Sequence, residues 1–359
     1  TTEEEYFALY AMADFDAGGI RGNLGVRYIS TDISSDYYDL SDEGVYDSTL
    51  STDKADYSEF LPSLNVVMDL ADNVILRTSA AQVISRPNYA DLFATRNLAG
   101  YTDNRPLNEV LNTGNVGLSP FKAFQADIGV EWYFDDDAML SVTYFTKEVS
   151  SFISTQQQTN QQIGIDIPVY TTNPDAGEPP CGAQQYDCWT VSSSTNGTGG
   201  SIEGIEFQIQ DSFDNGFGYS FNYTYSDAEA PAENYPDRVG VFSDSSKNSY
   251  NVVGFYENDD FSARLAYNWR SEFIIREAPG WYGNREHQAY GQLDFSATYS
   301  VTDYLDVTFE GINLTEEDSI QLGNNDASTS LPNPDLLNDF PVWSFEGEAR
   351  YKLGVTMRF

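Results

Sequence analysis

Basic residues are scarce in this chain: 18 Lys and Arg stand against 56 Asp and Glu, which gives a net charge of −38 at pH 7. Binding to nucleic-acid phosphates requires clustered Lys and Arg, so a nucleic-acid partner is excluded. The acidic residues lie mainly in long connecting segments, which indicates a solvated, salt-adapted surface. Clustered carboxylates can also bind hard divalent cations, but no segment has the residue spacing of a defined calcium loop.

Long apolar runs are also absent. No stretch approaches the roughly 18 consecutive apolar residues that a membrane-spanning helix needs, and the mean hydropathy is −0.43. A helical membrane protein is therefore excluded. A membrane β-barrel is not excluded, because barrel strands are apolar on only one face.

Cysteine and histidine are rare as well. Cys181 and Cys188 lie seven residues apart in a polar segment, which predicts a small disulfide loop formed at the cell surface or in the periplasm. A metal-binding cysteine pair is the alternative, but no further Cys or His lies nearby. The single histidine, His287, would have to serve any catalytic dyad or triad alone. The sequence therefore predicts no enzyme, no metal site and no cofactor.

What the chain does have is a two-residue alternation of side-chain character. In residues 345–359 every second residue is apolar, aromatic or small, and most of the residues between are charged. Residues 217–225 and 261–270 show the same pattern. A period of two indicates an extended strand whose two faces meet different surroundings. Large aromatic residues on every apolar face favour lipid contact over the alternative, the packed core of a soluble β-sandwich.

Thirteen strands are predicted, at residues 4–13, 20–30, 57–69, 74–86, 121–134, 139–153, 201–213, 217–228, 248–257, 260–272, 288–300, 304–314 and 344–359. Short turns rich in Asp, Asn and Gly alternate strictly with long loops, and these residue types tolerate the backbone angles of tight hairpins. The long loops are predicted at 31–56, 87–120, 154–200, 229–247, 273–287 and 315–343. This segregation is typical of an outer-membrane barrel, whose short turns are periplasmic.

The odd strand number indicates a partial barrel, because single-chain bacterial barrels have an even number of strands. If the last strand ends on the periplasmic side, at least one strand must precede Thr1. The chain opens without a signal peptide, so either the peptide was removed or the chain is a fragment. Residues 1–359 are therefore expected to form one domain, part of an all-β, transmembrane antiparallel β-barrel.

Several segments resemble TonB-dependent outer-membrane receptors, specifically the Xanthomonas and Caulobacter branch associated with oligosaccharide uptake. They include LRTSAAQVISRPNYADL (76–92), GNVGLSPFKAFQADIGVEWYF (114–134), LSVTYFTKEVSSFI (140–153), GSIEGIEFQIQDSF (200–213), FNYTYSDA (221–228) and YKLGVTMRF (351–359). The resemblance implies a plugged barrel of the 22-stranded class, of which this chain would supply the last thirteen strands. The plug, the TonB-contacting segment and the first nine strands would lie outside it. Phe359 resembles the terminal signal for barrel insertion.

The resemblance also implies an active transporter in the outer membrane of a Gram-negative bacterium, in contact with lipid and lipopolysaccharide. Its loops would bind an oligosaccharide, and the TonB–ExbB–ExbD complex would supply energy through the plug. A surface lipoprotein is a further expected partner. The alternatives are a siderophore or cobalamin receptor of the same superfamily, a passive porin, and a surface protein with a structural or adhesive role.

Aromatic, amide and basic residues in the long loops are the candidate substrate contacts, because aromatic faces stack on sugar rings while amide and guanidinium groups bind hydroxyls. The candidates are Asn88, Tyr89, Tyr101, Asn104, Arg105, Tyr186, Trp189, Trp281, Tyr282, Asn284, Arg285 and His287. Polar residues on the inward face of the strands are expected to line the plug or the transport path, namely Gln125, Asp127, Glu131, Gln208, Asn222, Asn268 and Asp294.

Overall fold

The computed structural model describes residues 1–40, 44, 46–100, 105–173, 175–183, 185–197, 199–229, 243–275, 285–323 and 339–359. Its strands in chain order are β1 (Thr2–Asp16), β2 (Ile20–Leu40), β3 (Tyr46–Ala71), β4 (Val74–Ser85), β5 (Arg96–Ala99), β6 (Val110–Thr113), β7 (Phe121–Asp135), β8 (Ala138–Gln161), β9 (Trp189–Gly197), β10 (Gly200–Ser212), β11 (Phe217–Glu229), β12 (Asn248–Glu257), β13 (Phe261–Arg270), β14 (Phe273–Ile275), β15 (Arg285–His287), β16 (Tyr290–Thr302), β17 (Leu305–Ile312), β18 (Ser319–Gly323), β19 (Pro341–Phe345) and β20 (Arg350–Met357). Two short helices are α1 (Tyr89–Leu92) and α2 (Pro168–Thr172). Within the described ranges no helix has the length and apolar character needed to cross a membrane.

Thirteen strands form one continuous path in the order β1-β2-β3-β4-β7-β8-β10-β11-β12-β13-β16-β17-β20. Each neighbouring pair on this path is antiparallel, so the main sheet is an up-and-down meander. The number and order of these strands match the thirteen predicted ones, and most boundaries agree within a few residues. The prediction of an all-β antiparallel fold is confirmed.

One face of the main sheet, here called the outer face, is apolar and exposed. Val130 on β7 is 39% exposed and stands between Leu76 of β4 and Val142 of β8. Aromatic pairs also run along this face, among them Tyr250–Trp269 and Phe309–Tyr351, whose ring centroids lie 5.1 and 6.1 Å apart. A continuous exposed apolar band of this kind is the surface that a barrel presents to lipid.

The opposite, inner face is polar, and its side chains pair with one another across the strands. The Asn65 amide donates to Asn23 Oδ1 at 2.9 Å, and Arg77 Nε donates to Glu131 Oε1 at 2.7 Å. The strand registers place the predicted inward residues on this face, namely Gln125, Asp127, Glu131, Gln208, Asn222, Asn268 and Asp294. Hydrogen bonds to neighbouring side chains engage several of these groups, namely Asp127, Glu131, Gln208, Asn268 and Asp294.

A glycine on β11 shows why small residues interrupt the inner face. A Cβ atom at Gly218 would lie 2.2 Å from Cζ of the Phe255 ring on the paired strand β12. The ring therefore covers the glycine, and a larger residue would have to displace it. Such aromatic cover over a strand glycine is a common device for holding strand register.

Three strands are much longer than predicted. The segment 31–56 was expected to be a loop, yet β2 and β3 continue through most of it as a paired hairpin extension. Its outer face is polar at Ser30, Asp32 and Ser34, so the apolar alternation ends even though the backbone pairing does not. Its inner face stays buried, at Ile33 and Tyr37, because it packs against residues 92–118. β8 likewise continues eight residues past its predicted end at residue 153.

The described parts of the segments 87–120 and 154–200, which are predicted to be loops, contain strands and short helices, which corrects the sequence interpretation. β5 pairs with β6, β6 pairs with β9, and β9 pairs with the extended end of β8. These strands, α1, α2 and their connections are here called the loop module. The module has its own core, built from Leu111, Ile165, Ile167, Val169, Tyr170 and Trp189. Cys181 and Cys188 are joined in a disulfide at its edge.

The prediction of one strand over residues 344–359 is wrong in extent, because the strand is interrupted between β19 and β20. Gly347 lies in this break, where its N–H donates to Asp318 Oδ1 at 2.8 Å. A Cβ atom there would lie 1.9 Å from the Glu317 carbonyl oxygen. β19 instead belongs to a separate four-stranded sheet, β14-β15-β18-β19, here called the upper sheet.

Candidate ligand site on the inner face

The residues predicted from the sequence as ligand contacts separate into three groups. Tyr101, Asn104, Trp281, Tyr282 and Asn284 lie outside the described residues. A second group lies in the loop module or in the segment that leads into it, namely Asn88, Tyr89, Arg105, Tyr186 and Trp189. Arg285 and His287 are alternate residues of β15, so they share one face of the upper sheet.

Trp189 corrects the expectation that this group contacts ligand from the loop surface. Its side chain is fully buried, and its indole N–H donates to the Ile165 carbonyl oxygen at 2.8 Å. Tyr186 is half-buried and packs against the same core. The two aromatic residues beside the disulfide therefore stabilise the loop module, and burial closes Trp189 to a ligand.

A second aromatic residue in this core, Tyr170, is held in a similar way. Its hydroxyl oxygen accepts a hydrogen bond from the Leu107 N–H at 3.1 Å. Burial raises the pKa of Tyr170 above its ordinary value, because the phenolate would lose its hydration. Leu107 has a positive φ of 72°, an unusual conformation for a branched residue. The hydrogen bond to Tyr170 helps to hold this turn.

Asn88 and Tyr89 start helix α1 at the top of β4. Tyr89 is 60% exposed, and the Asn88 carbonyl oxygen accepts the Asp91 N–H at 3.0 Å. Asn88 also lines a cleft of about 610 Å³ between β4, α1 and β8, together with Arg86, Asp91, Phe121 and Phe152. Arg86 in this cleft is already engaged, since it pairs with Glu4 at 3.0 Å and stacks on the Tyr6 ring.

A second cleft, of about 400 Å³, lies on the inner face of β11, β12, β13 and β16. A row of four amide side chains crosses it, one from each strand, because Asn222 is paired with Asn251, Asn251 with Asn268, and Asn268 with Gln292. These four residues are here called the amide row. The next row towards the long loops consists of Thr224, Ser249, Arg270 and Tyr290.

The upper sheet places a row of flat side chains above this cleft. Phe273, His287, Gln321 and Trp343 stand opposite one another on its four strands. The Phe273 and His287 rings stack at 4.9 Å with an interplanar angle of 10°, and the Trp343 and Phe345 rings stack at 5.4 Å. Phe273, His287, Trp343 and Phe345 are here called the aromatic platform. Trp343 and Phe345 are 48% and 54% exposed, so their faces are open to a ligand.

Contacts at the junction show that the platform and the amide row face the same side. His287 meets the inward-facing Tyr290 edge to face, with ring centroids 6.3 Å apart. The guanidinium carbon of Arg270, also inward-facing, lies 3.8 Å from the centre of the Phe273 ring. The aromatic platform therefore continues the inner wall above the amide row.

Polar groups fix the platform side chains. Arg285 Nη1 donates to Gln321 Oε1 at 2.7 Å. His287 Nδ1 lies 2.7 Å from the Gln288 carbonyl oxygen, and Nε2 lies 3.0 Å from Ser319 Oγ. A carbonyl oxygen can only accept, so Nδ1 carries the proton and donates it, while Nε2 accepts from the Ser319 hydroxyl when the ring is neutral. These hydrogen bonds hold the Arg285 guanidinium and the His287 ring in position.

The cleft below the platform is nearly neutral. Of the eight inner-face residues that line it, Arg270 is charged and the others carry amides, hydroxyls or the phenol ring of Tyr290. The Arg270 guanidinium is itself engaged, donating to Ser246 Oγ at 2.9 Å and to the Asp244 carbonyl oxygen at 3.2 Å. No group of three or more His, Cys, Asp or Glu residues in the described part of the chain is placed to hold a metal ion.

The model of the family described as TonB dependent receptor-like, beta-barrel matches residues 1–314. The chain belongs to this family. Membership of this β-barrel family agrees with the antiparallel meander and with its apolar outer face. No curated protein matches the chain.

Solved receptors share the fold of this receptor barrel. The ferric enterobactin receptor PfeA of Pseudomonas aeruginosa aligns over 99% of this chain and 54% of its own, with 15% identity and a TM-score of 0.63. The siderophore receptor PirA of Acinetobacter baumannii aligns over 100% and 55%, with 15% identity and a TM-score of 0.59. The ferric-catecholate import receptor Fiu of Escherichia coli K12 aligns over 100% and 45%, with 16% identity and a TM-score of 0.60. The receptor barrel thus spans about half the length of these proteins, and identities this low show a shared fold alone.

Six residues of the candidate site are not among the ligand contacts predicted from the sequence, namely Phe273, Trp343, Phe345, Asn251, Gln292 and Gln321. Trp343 and Phe345 carry a weak signal, since their spacing of two places both on one strand face. The Gln321–Arg285 contact joins residues 36 positions apart. Such a contact depends on strand pairing, which no local pattern in the sequence specifies.

Proposed function

We propose that this protein is an outer-membrane receptor that binds a neutral oligosaccharide at the mouth of its lumen and imports it with energy supplied through TonB. Family membership supports the transporter class. The observation that carries the ligand class is the pairing of an aromatic platform with a neutral amide row on one inner wall. Aromatic faces stack on the C–H faces of sugar rings, and amides both donate to and accept from hydroxyls.

The charge of the site favours a neutral ligand over an anionic one. The amide row offers no net charge, and the nearest cation, Arg270, is already held by Ser246 and by the Asp244 carbonyl oxygen. The chain as a whole carries a net charge of −38. An anionic iron chelate would approach against this field and would find few unengaged donors.

A ferric siderophore is the second candidate ligand. PfeA, PirA and Fiu are siderophore or ferric-catecholate receptors by name, and they share this fold. Arg285 also belongs to the upper sheet, where its guanidinium carbon lies 6.0 Å from the Trp343 ring centre. An aromatic and cationic wall suits a catecholate as well as a sugar, so a direct comparison of the two ligands is needed.

Calorimetric titration of the detergent-solubilised protein makes this comparison. The probes are linear neutral malto-, cello- and xylo-oligosaccharides on one side and ferric enterobactin on the other. The proposal predicts saturable binding of at least one sugar series and none of the ferric chelate. Binding of the chelate alone would overturn the sugar assignment and leave the receptor class intact.

A pair of matched asparagine variants tests the location of the site. Asn268→Ala removes one member of the amide row. Asn65→Ala removes an inner-face amide that pairs with Asn23 on the adjacent strand β2, and four strands of the sheet separate β3 from the amide row. Losing one buried hydrogen bond costs about 1–3 kcal/mol, so Asn268→Ala should weaken sugar binding roughly 5-fold to 150-fold. Asn65→Ala should leave the affinity unchanged. Equal effects of the two variants would place the site elsewhere.

The partners of transport are also part of the proposal. TonB with ExbB and ExbD would energise release of the ligand into the periplasm, and lipid with lipopolysaccharide would surround the apolar outer face. A passive porin would conduct ions continuously in a planar bilayer, whereas a gated receptor should be nearly silent. The surface lipoprotein stays a prediction.

A further inference from the structure

The boundary between the main sheet and the upper sheet is a crease that crosses four strands. The upper sheet has the order β14-β15-β18-β19, and the adjoining part of the main sheet has the order β13-β16-β17-β20. Each upper strand therefore continues the main strand beside it in the chain. All four are interrupted, at residues 271–272, 288–289, 313–318 and 346–349.

The backbone at the crease is shaped so that the strands cannot run through it. Asn313 is buried with a positive φ of 55°. Its side chain bridges the turn, accepting the Glu317 N–H at 3.0 Å and donating to the Glu317 carbonyl oxygen at 3.2 Å. Gly347 fits closely against the same carbonyl. Because no strand ladder crosses this line, side-chain contacts help to set the orientation of the upper sheet.

The Arg270 side chain spans the crease on the ligand-facing side. It is the last residue of β13, and its guanidinium stacks 3.8 Å above Phe273, the first residue of β14. The same group donates to Ser246 Oγ and to the Asp244 carbonyl oxygen. Asp244 in turn donates its N–H to the Ile274 carbonyl oxygen at 2.8 Å. Arg270 thus ties β13, β14 and the segment before β12 together.

We propose that Arg270 is a positioning residue, which holds the aromatic platform in line with the amide row so that one linear ligand contacts both. This inference rests on the proposed function. Phe273 in the platform follows Asn268 in the amide row by five positions, and five residues of extended backbone span at most about 16 Å. The proposal therefore expects an extended chain of several sugars to contact both parts, and a disaccharide to contact one of them.

Lysine cannot replace arginine in this role. The planar guanidinium stacks on a ring and donates in two directions at once, whereas an ammonium group is a compact point charge without a flat face. Arg270→Lys keeps the charge and loses the alignment. Arg264 is the matched control, since it lies on the same strand and the same inner face, six residues further from the crease.

The binding test measures affinity against chain length, from disaccharide to hexasaccharide, in whichever neutral series the wild-type protein binds. The affinity of wild type and of Arg264→Gln should rise once the sugar chain is long enough to reach both the amide row and the aromatic platform. Arg270→Gln and Arg270→Lys should lose most of the gain in affinity from disaccharide to hexasaccharide, about tenfold relative to wild type, which corresponds to about 1.4 kcal/mol. An unchanged gain in both Arg270 variants would overturn the proposal, as would full rescue by lysine.

A ligand-free measurement separates this inference from the proposed function. Backbone hydrogen exchange at residues 244 and 273–275 should accelerate in both Arg270 variants and stay at the wild-type rate in Arg264→Gln. Unchanged exchange in the Arg270 variants would refute the positioning role. If wild type binds no sugar, the proposed function fails, and the exchange result alone decides whether Arg270 orients the upper sheet.

Discussion

Replacing Val130 by arginine gives the sharpest energetic test of the outer face. Val130 lies near the middle of β7, with Phe124 towards the long loops and Trp132 towards the short turn. Its neighbours in register, Leu76 and Val142, are also apolar. An arginine on the lipid-facing side at the bilayer midplane destabilises a barrel by roughly 2–4 kcal/mol. Val130→Arg should therefore lower the free energy of unfolding by about that amount.

Gln125→Arg on the same strand is the control, because residue 125 points to the inner, wet face. A charge there keeps its hydration, so the loss of stability should be much smaller. The assay is equilibrium unfolding by guanidinium chloride of protein refolded into phospholipid vesicles, followed by tryptophan fluorescence. Equal losses at residues 125 and 130 would refute the assignment of the two faces.

Two further predictions concern the loop module. Trp189→Ala should destabilise the module by about 3–5 kcal/mol, as expected for removing a fully buried aromatic side chain. Limited proteolysis should then cut the module while the main sheet stays resistant. Unchanged resistance of the module would contradict the role of Trp189 in its core. Burial raises the pKa of Tyr170, so its contribution to stability is complete below the ordinary tyrosine pKa of about 10 and is lost as pH rises through the raised value. Tyr170→Phe should remove this alkaline transition from a proteolysis–pH profile, and a transition that persists would assign it to another group.

The strands of the main sheet could be predicted from the sequence because one face of the sheet is apolar and the other is polar. On β11 and β13 the alternation is unbroken, so strand ends and face assignments follow directly. Above the apolar band this signal fails. The outer face of β2 carries Ser30, Asp32 and Ser34, so the apolar alternation disappears while the hydrogen-bonded hairpin continues.

The candidate site was only partly predictable for a related reason. Arg285 and His287 were identified because exposed aromatic and basic residues in a loop suggest binding. Trp189 has the same local composition but is buried in the core of the loop module. Burial depends on which distant segments pack together, here residues 165–169. The break at Gly347 was missed for the same reason, since the Glu317 carbonyl that shapes it is distant in sequence.

The most direct test of the central claim is uptake of a fluorescently labelled oligosaccharide by cells that carry this protein in the outer membrane, with and without a working TonB complex. The account predicts saturable uptake that stops when TonB is deleted, while surface binding of the same sugar persists. Uptake that continues at the same rate without TonB would contradict an energised receptor.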